Sequence, residues 1–151
     1  MHLTTIVLAA LFALPAAVVS VVSAVPVVNP LTTTLEEITF LLDSKAISGV
    51  NLTRLYLSQI SDHARLNAVL DVAPRGSVLD ESALRDYERR IGRKKGLLHG
   101  VPVVVGDAIA TEAGLGMGTT AGSWALVGSV VSGDAGVVQR VSHQVHSKLN
   151  M

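Results

Sequence analysis

Five groups of residues in this chain have types and spacings that chemistry could use. The stretch Leu97–Thr111, LLHGVPVVVGDAIAT, runs four valines into Gly106-Asp107. A rigid strand ending in such a turn is where many folds present reactive groups on a loop that is free to vary. Gly116-Met117-Gly118-Thr119-Thr120-Ala121 matches the spacing Gly-x-Gly-x-x-Ala of a dinucleotide turn, but that turn must follow its strand directly, and the valine run ends about ten residues earlier. His143 and His146 stand three apart, close enough to share a metal on one helix face, yet no third ligand accompanies them at motif spacing. Ser123 follows Gly122 without the Gly-x-Ser-x-Gly elbow of a nucleophilic serine, so it reads as a turn residue. Asn51-Leu52-Thr53 is an acceptor sequence for N-linked glycan, with Asn51 near enough to Ser48 to belong to a helix cap instead.

Composition bounds what these groups can do. The chain has 151 residues, 49% of them hydrophobic and only 3% aromatic, which is enough for one domain with a core built on valine, alanine and leucine. Twelve lysines and arginines balance twelve aspartates and glutamates. No net charge draws the chain to nucleic acid or to an anionic membrane. Cysteine is absent, which excludes a disulfide framework, a thiolate nucleophile and a cysteine metal site.

The elements that would position these residues follow from periodicity. Ile6 to Val22 is almost continuously apolar and leads to the small residues Val22-Ser23-Ala24, as in a cleaved signal peptide over residues 1–24. An uncleaved membrane anchor is the alternative, since a bilayer needs about 20 apolar residues. Residues 25–34 form a linker, and residues 35–151 the domain. Thr34 with Glu37 is a capping box for a helix ending near Asp43 to Lys45, and Ser48 caps a second helix that makes a hairpin with the first. Leu66 to Pro74 alternates as a strand that Pro74 stops. Ser77 to Arg93 reads as a helix whose pairs Glu81–Arg85 and Asp86–Arg90 lie on a solvated face. Val101 to Val105 is a short non-alternating run, expected as a strand buried on both faces. Five glycines between Gly114 and Gly128 mark loops, with a weak strand around Trp124 to Val131, and Asp134 caps a last helix. The class is α/β.

The order of LLDSKAISGVNLTRLYLSQI, LNAVLDVAPRGSVLDESALRDYERR, GLLHGVPVVVGDAIAT and GMGTTAGSWALVGS resembles the amidase signature family of serine amide hydrolases, from about Leu35 to Arg140. The resemblance implies an incomplete, N-terminal part of an α/β sandwich with a mixed sheet. It also implies amide hydrolysis or transfer without metal or other cofactor. The family's catalytic unit is a nucleophilic serine, a second serine in a cis peptide, and a lysine four residues after the proline of the Gly-x-Pro strand, just before an aspartate. Pro102 plus four is Gly106, before Asp107. A lysine serves as base there because burial lowers its pKa, and glycine offers nothing in its place. The serines are expected beyond Met151, and Lys45, Lys94, Lys95 and Lys148 stand in helix-end or loop contexts. No catalytic, cofactor-binding or metal residue is therefore assigned. Two readings stand: a secreted, truncated, inactive amidase-like protein, or a secreted non-catalytic binding module that keeps part of the scaffold. The partners expected are a small amide only in a full-length relative, no nucleic acid, no membrane after signal cleavage, and self-association through open sheet edges.

Overall fold

The computed structural model describes residues 28–112, 114 and 116–145. The proposed signal segment, His146 and Lys148 lie outside them. The described residues form four α-helices, α1 Leu35–Asp43, α2 Gly49–Asp62, α3 Arg75–Arg90 and α4 Gly136–Val145, with 3-10 turns at Ala64–Leu66 and Trp124–Leu126. The capping box is present: Thr34 Oγ1 accepts the Glu37 N–H at 3.3 Å, and Glu37 accepts the Thr34 N–H at 2.8 Å. Ser48 Oγ likewise accepts the Asn51 N–H at 3.1 Å, opening α2. Helix α3 starts at Arg75, directly after Pro74, and stops at Arg90, with Gly92 in the left-handed region at φ +77°.

Two small apolar clusters form the core. Ile38 and Leu42 of α1 meet Leu52 of α2 and Val101, while Leu57 of α2 meets Ala73, Val78 of α3 and Met117. The expected α1–α2 hairpin is therefore not the main pairing, since α2 packs chiefly along α3. That interface also carries polar groups. Ser82 Oγ donates to the Val78 carbonyl at 2.9 Å and lies 2.8 Å from Thr53 Oγ1, with both side chains buried. Because the single Ser82 proton goes to the carbonyl, the Thr53 hydroxyl is the donor of the second bond.

The strands are the main correction. Among the described residues none is formed at Leu66–Pro74, at Val101–Val105 or at Trp124–Val131, so these residues form no mixed sheet. After the 3-10 turn and a left-handed Asn67 (φ +47°), the first segment has no ladder, and Trp124 opens a 3-10 turn instead. In the valine run only Val101 is buried, and Val104 is 60% exposed. A strand is completed by its neighbours' N–H and C=O groups, and none is supplied here. Beside the start of α4, the Asp134 carboxylate accepts the Glu112 N–H at 2.8 Å, the Asp134 carbonyl accepts from Gln139 Nε2 at 3.0 Å, and the Ala135 carbonyl takes the Gln139 N–H that opens the helix. No helix among the described residues is long and apolar enough to cross a membrane.

Candidate functional site

The charges of α3, expected on a solvated face, instead build a polar hub against the Leu-His-Gly-Val segment. Arg85 is 5% exposed and bonds Glu81 and, at 2.5 Å, Glu88. Glu88 also takes Lys95 at 3.2 Å. Asp86 reaches from α3 to the start of α2, where its carboxylate accepts the N–H groups of Gly49 at 2.7 Å and Val50 at 3.1 Å. This caps α2 with a negative charge from another helix, which favours its N-terminal dipole. A Cβ at Gly49 would lie 2.9 Å from Asp86 Oδ1, so the close approach requires glycine. Arg89 bonds Asp43 of α1 and the His99 carbonyl, and Lys94 joins Asp43 at 2.6 Å. The Lys94 hydrogen bond, reinforced by Arg89, holds the Asp43 carboxyl below its ordinary 3.8.

His99 sits at the centre, fully buried. Its Nε2 is 3.1 Å from the Arg85 carbonyl, which only accepts, so Nε2 carries the proton, and Nδ1 has no partner among the described residues. Burial holds its pKa below 6.5, outweighing the bond to the carbonyl. Burial opposes ionisation of Glu88, but the bonds from Arg85 and Lys95 prevail and keep it below 4.5. Gly100 follows at φ +78°, its α-carbon face toward Arg85 Cβ, where a Cβ would approach to 3.4 Å. The hub thus anchors the segment that leads to Gly106.

At the far end of that segment lies the corner that raised the chemical question. Asp107 is the organiser: its carboxylate accepts the Thr120 N–H at 3.1 Å, the Thr120 hydroxyl at 2.8 Å and the Gly122 N–H at 2.8 Å. The bonds from the Gly122 and Thr120 backbone, then the Thr120 hydroxyl, lower its pKa. Its neighbour Gly106 is exposed, and a Cβ built there meets nothing within 4 Å. The backbone at Gly106 is not in the left-handed region, so a side chain would fit without strain. A cavity of about 110 Å³ adjoins it, lined by Asp71, Asp107, Thr111 and Thr119 among others, and by no lysine.

Met117 of the Gly-x-Gly-x-x-Ala match is a core residue, and the match lies in turns rather than between a strand and a helix. Ser123 donates its N–H to the Thr120 carbonyl and accepts the Leu126 N–H, as a turn residue does. Lys94 and Lys95 are spent in the hub, and Lys45 ends the α1 turn at φ +60°. His143 lies in α4 and its pair His146 beyond the described residues; among those residues no three candidate ligands gather for a metal.

Comparison with known proteins decides the family. The amidase family model matches residues 51–144. The chain belongs to the amidase family. A probable amidase of Arabidopsis thaliana is 41% identical over 109 residues, covering 72% of this chain and 21% of that protein. A glutamyl-tRNA(Gln) amidotransferase component of Ralstonia nicotianae is 34% identical over 109 residues, again 72% of this chain and 21% of the relative. The crystal structure of native peptide amidase from Stenotrophomonas maltophilia superposes with a TM-score of 0.67 at 33% identity, over 80% of this chain and 24% of that one. The chain thus spans about a fifth to a quarter of the length of these relatives. The helices and turns described above are a portion of the amidase fold, and the hub and the Asp107 corner are features of that portion.

Proposed function

We propose that this amidase-family chain contributes an amino-terminal part of the amidase scaffold and does not itself hydrolyse or transfer amides. The single observation that carries this is Gly106. The resemblance assigns the general base to that position, beside an aspartate whose hydrogen bonds keep it a carboxylate, and glycine has no group to accept a proton. Amide turnover then belongs to relatives that carry a lysine at that position. The segments 66–74 and 101–105 are, on this reading, sheet-forming stretches of an α/β sandwich with a mixed sheet, and their exposed Leu66, Leu70 and Val104 are the side chains a completed sheet would cover. Until covered, they favour self-association. The chain with Gly106 in place tests the assignment: simple amides and a fluorophosphonate serine probe are expected to remain untouched. Turnover, or probe labelling lost on mutating Ser123, would overturn it.

Export with removal of residues 1–24 belongs to the same reading, supported by the apolar run and the small residues before Val25-Pro26. Sequencing the N-terminus of the secreted protein checks it, and Met1 intact on a membrane-bound chain would refute it.

The second reading, a non-catalytic binding module, is favoured by the hub, which satisfies most of its own charges within residues 43–99. Residues 25–151 expressed alone separate the two. An aggregating or molten chain supports the partial scaffold; a soluble monomer with one sharp unfolding transition supports the module.

A further inference from the structure

We propose that Asn51 carries an N-linked glycan, added before α2 packs on α3, on the face of α2 that the fold leaves open. The proposal rests on the export reading above and on the geometry of α2. Asn51 and Thr53 are two residues apart, which on a helix turns them to different sides. Asn51 is exposed, in line with the exposed Arg54 and Ser58. Its backbone N–H is spent on Ser48 Oγ, while its carboxamide makes no hydrogen bond among the described residues. The cap therefore uses the Asn51 backbone and leaves the side chain free. Thr53 is the opposite case: it is 1% exposed, and its hydroxyl donates to Ser82 in the α2–α3 interface.

An acceptor sequence needs both residues at once, the asparagine as nucleophile and the hydroxyl two positions on. The folded chain presents only the first. Recognition is thus confined to the chain before the α2–α3 interface closes, and the product is compatible with closure because Asn51 ends outside it. In the transfer, Asn51 Nδ2 forms a bond to the anomeric carbon of a lipid diphosphate-linked oligosaccharide. The bond from that carbon to the diphosphate oxygen breaks, the lipid diphosphate leaves, and Nδ2 gives up one proton.

The test uses the whole chain in a eukaryotic secretory host, once with its own N-terminus and once with residues 1–24 replaced by a leader of known function. The leader-replaced chain is expected to show one endoglycosidase-sensitive mobility shift, mapped to Asn51 by mass spectrometry. The shift is lost in Asn51→Gln and kept in Thr53→Ser, which preserves the hydroxyl. Folded, unglycosylated chain offered to solubilised microsomes is expected to acquire no glycan. A leader-replaced chain recovered from the secretory lumen with Asn51 unmodified would overturn the site, and modification of the folded chain would overturn the order of events. A shift with the replacement leader but none with the native N-terminus would uphold the site and refute export.

Discussion

The stretch from α1 to Val101 and the stretch from Gly106 to Val131 both carry apolar side chains but treat them differently. In the first, Ile38, Leu42, Leu52, Leu57, Val78 and Val101 are buried, and the charges beside them are paired. In the second, among the described residues, only Thr111 and Met117 are buried, while Trp124 is 91% and Val130 76% exposed. Hydrogen bonds donated by backbone N–H groups to the carboxylates of Asp71, Asp107 and Asp134 hold its turns. A helix satisfies its own backbone and needs one apolar neighbour; a strand or a glycine-rich loop needs neighbours for both. The first region finds its apolar neighbours among the described residues, and most of the second does not.

This contrast can be broken experimentally. The largest effect is expected from Arg85→Ala, which strips Glu81 and Glu88 of their buried partner and should destabilise the helical region by about 3 kcal/mol. Loss of protection at α2 and α3 amides in hydrogen exchange reads it out, and unchanged protection would show that the hub is ornamental. Asp86→Ala removes the cap from another helix and should cost about 1 kcal/mol, seen as faster exchange at Gly49 to Asn51.

A pH titration sharpens the same comparison. His99 is held neutral, so below its ordinary value of 6.5 the unfolded chain binds a proton that the folded one refuses. Stability of the helical region should therefore be complete above pH 6.5 and fall as the pH drops through that value, with Arg85, Glu88, Arg89 and Lys95 as the charged neighbours. A second loss follows below 4.5 and 3.8, as Glu88 and Asp43, whose values the fold lowers, take up protons. His99→Gln should remove the first step and leave the second; persistence of both would exclude His99 as the source. The smallest effect is expected from Trp124→Ala, within about 0.5 kcal/mol because its ring has no packing to lose. A larger change would mean that the glycine-rich region has a core of its own.

The first two helices are legible in the sequence because their signals are local: Thr34 with Glu37, and Ser48 at the start of α2, act on residues close by in the chain. The same locality makes the i,i+4 spacing of Glu81 and Arg85 readable, but not their burial. The spacing of Asp86 and Arg90 misleads for this reason, since Asp86 serves α2, 36 and 37 residues earlier in the chain, and Arg90 lies over the Tyr87 ring at 5.3 Å. Nor does any sequence signal point to Asp107 as the clasp of Thr120 and Gly122.

What the sequence determined by itself is the family, the caps of α1 and α2 by Thr34 and Ser48, and the glycine at position 106, each a matter of residue identity or short-range order. Whether Val101–Val105 is a strand, which charges are buried, and which face of α2 stays open were decided only by the tertiary structure. These depend on groups distant along the chain meeting in space, and a strand pairs, or a carboxylate caps, only where the fold brings it a partner.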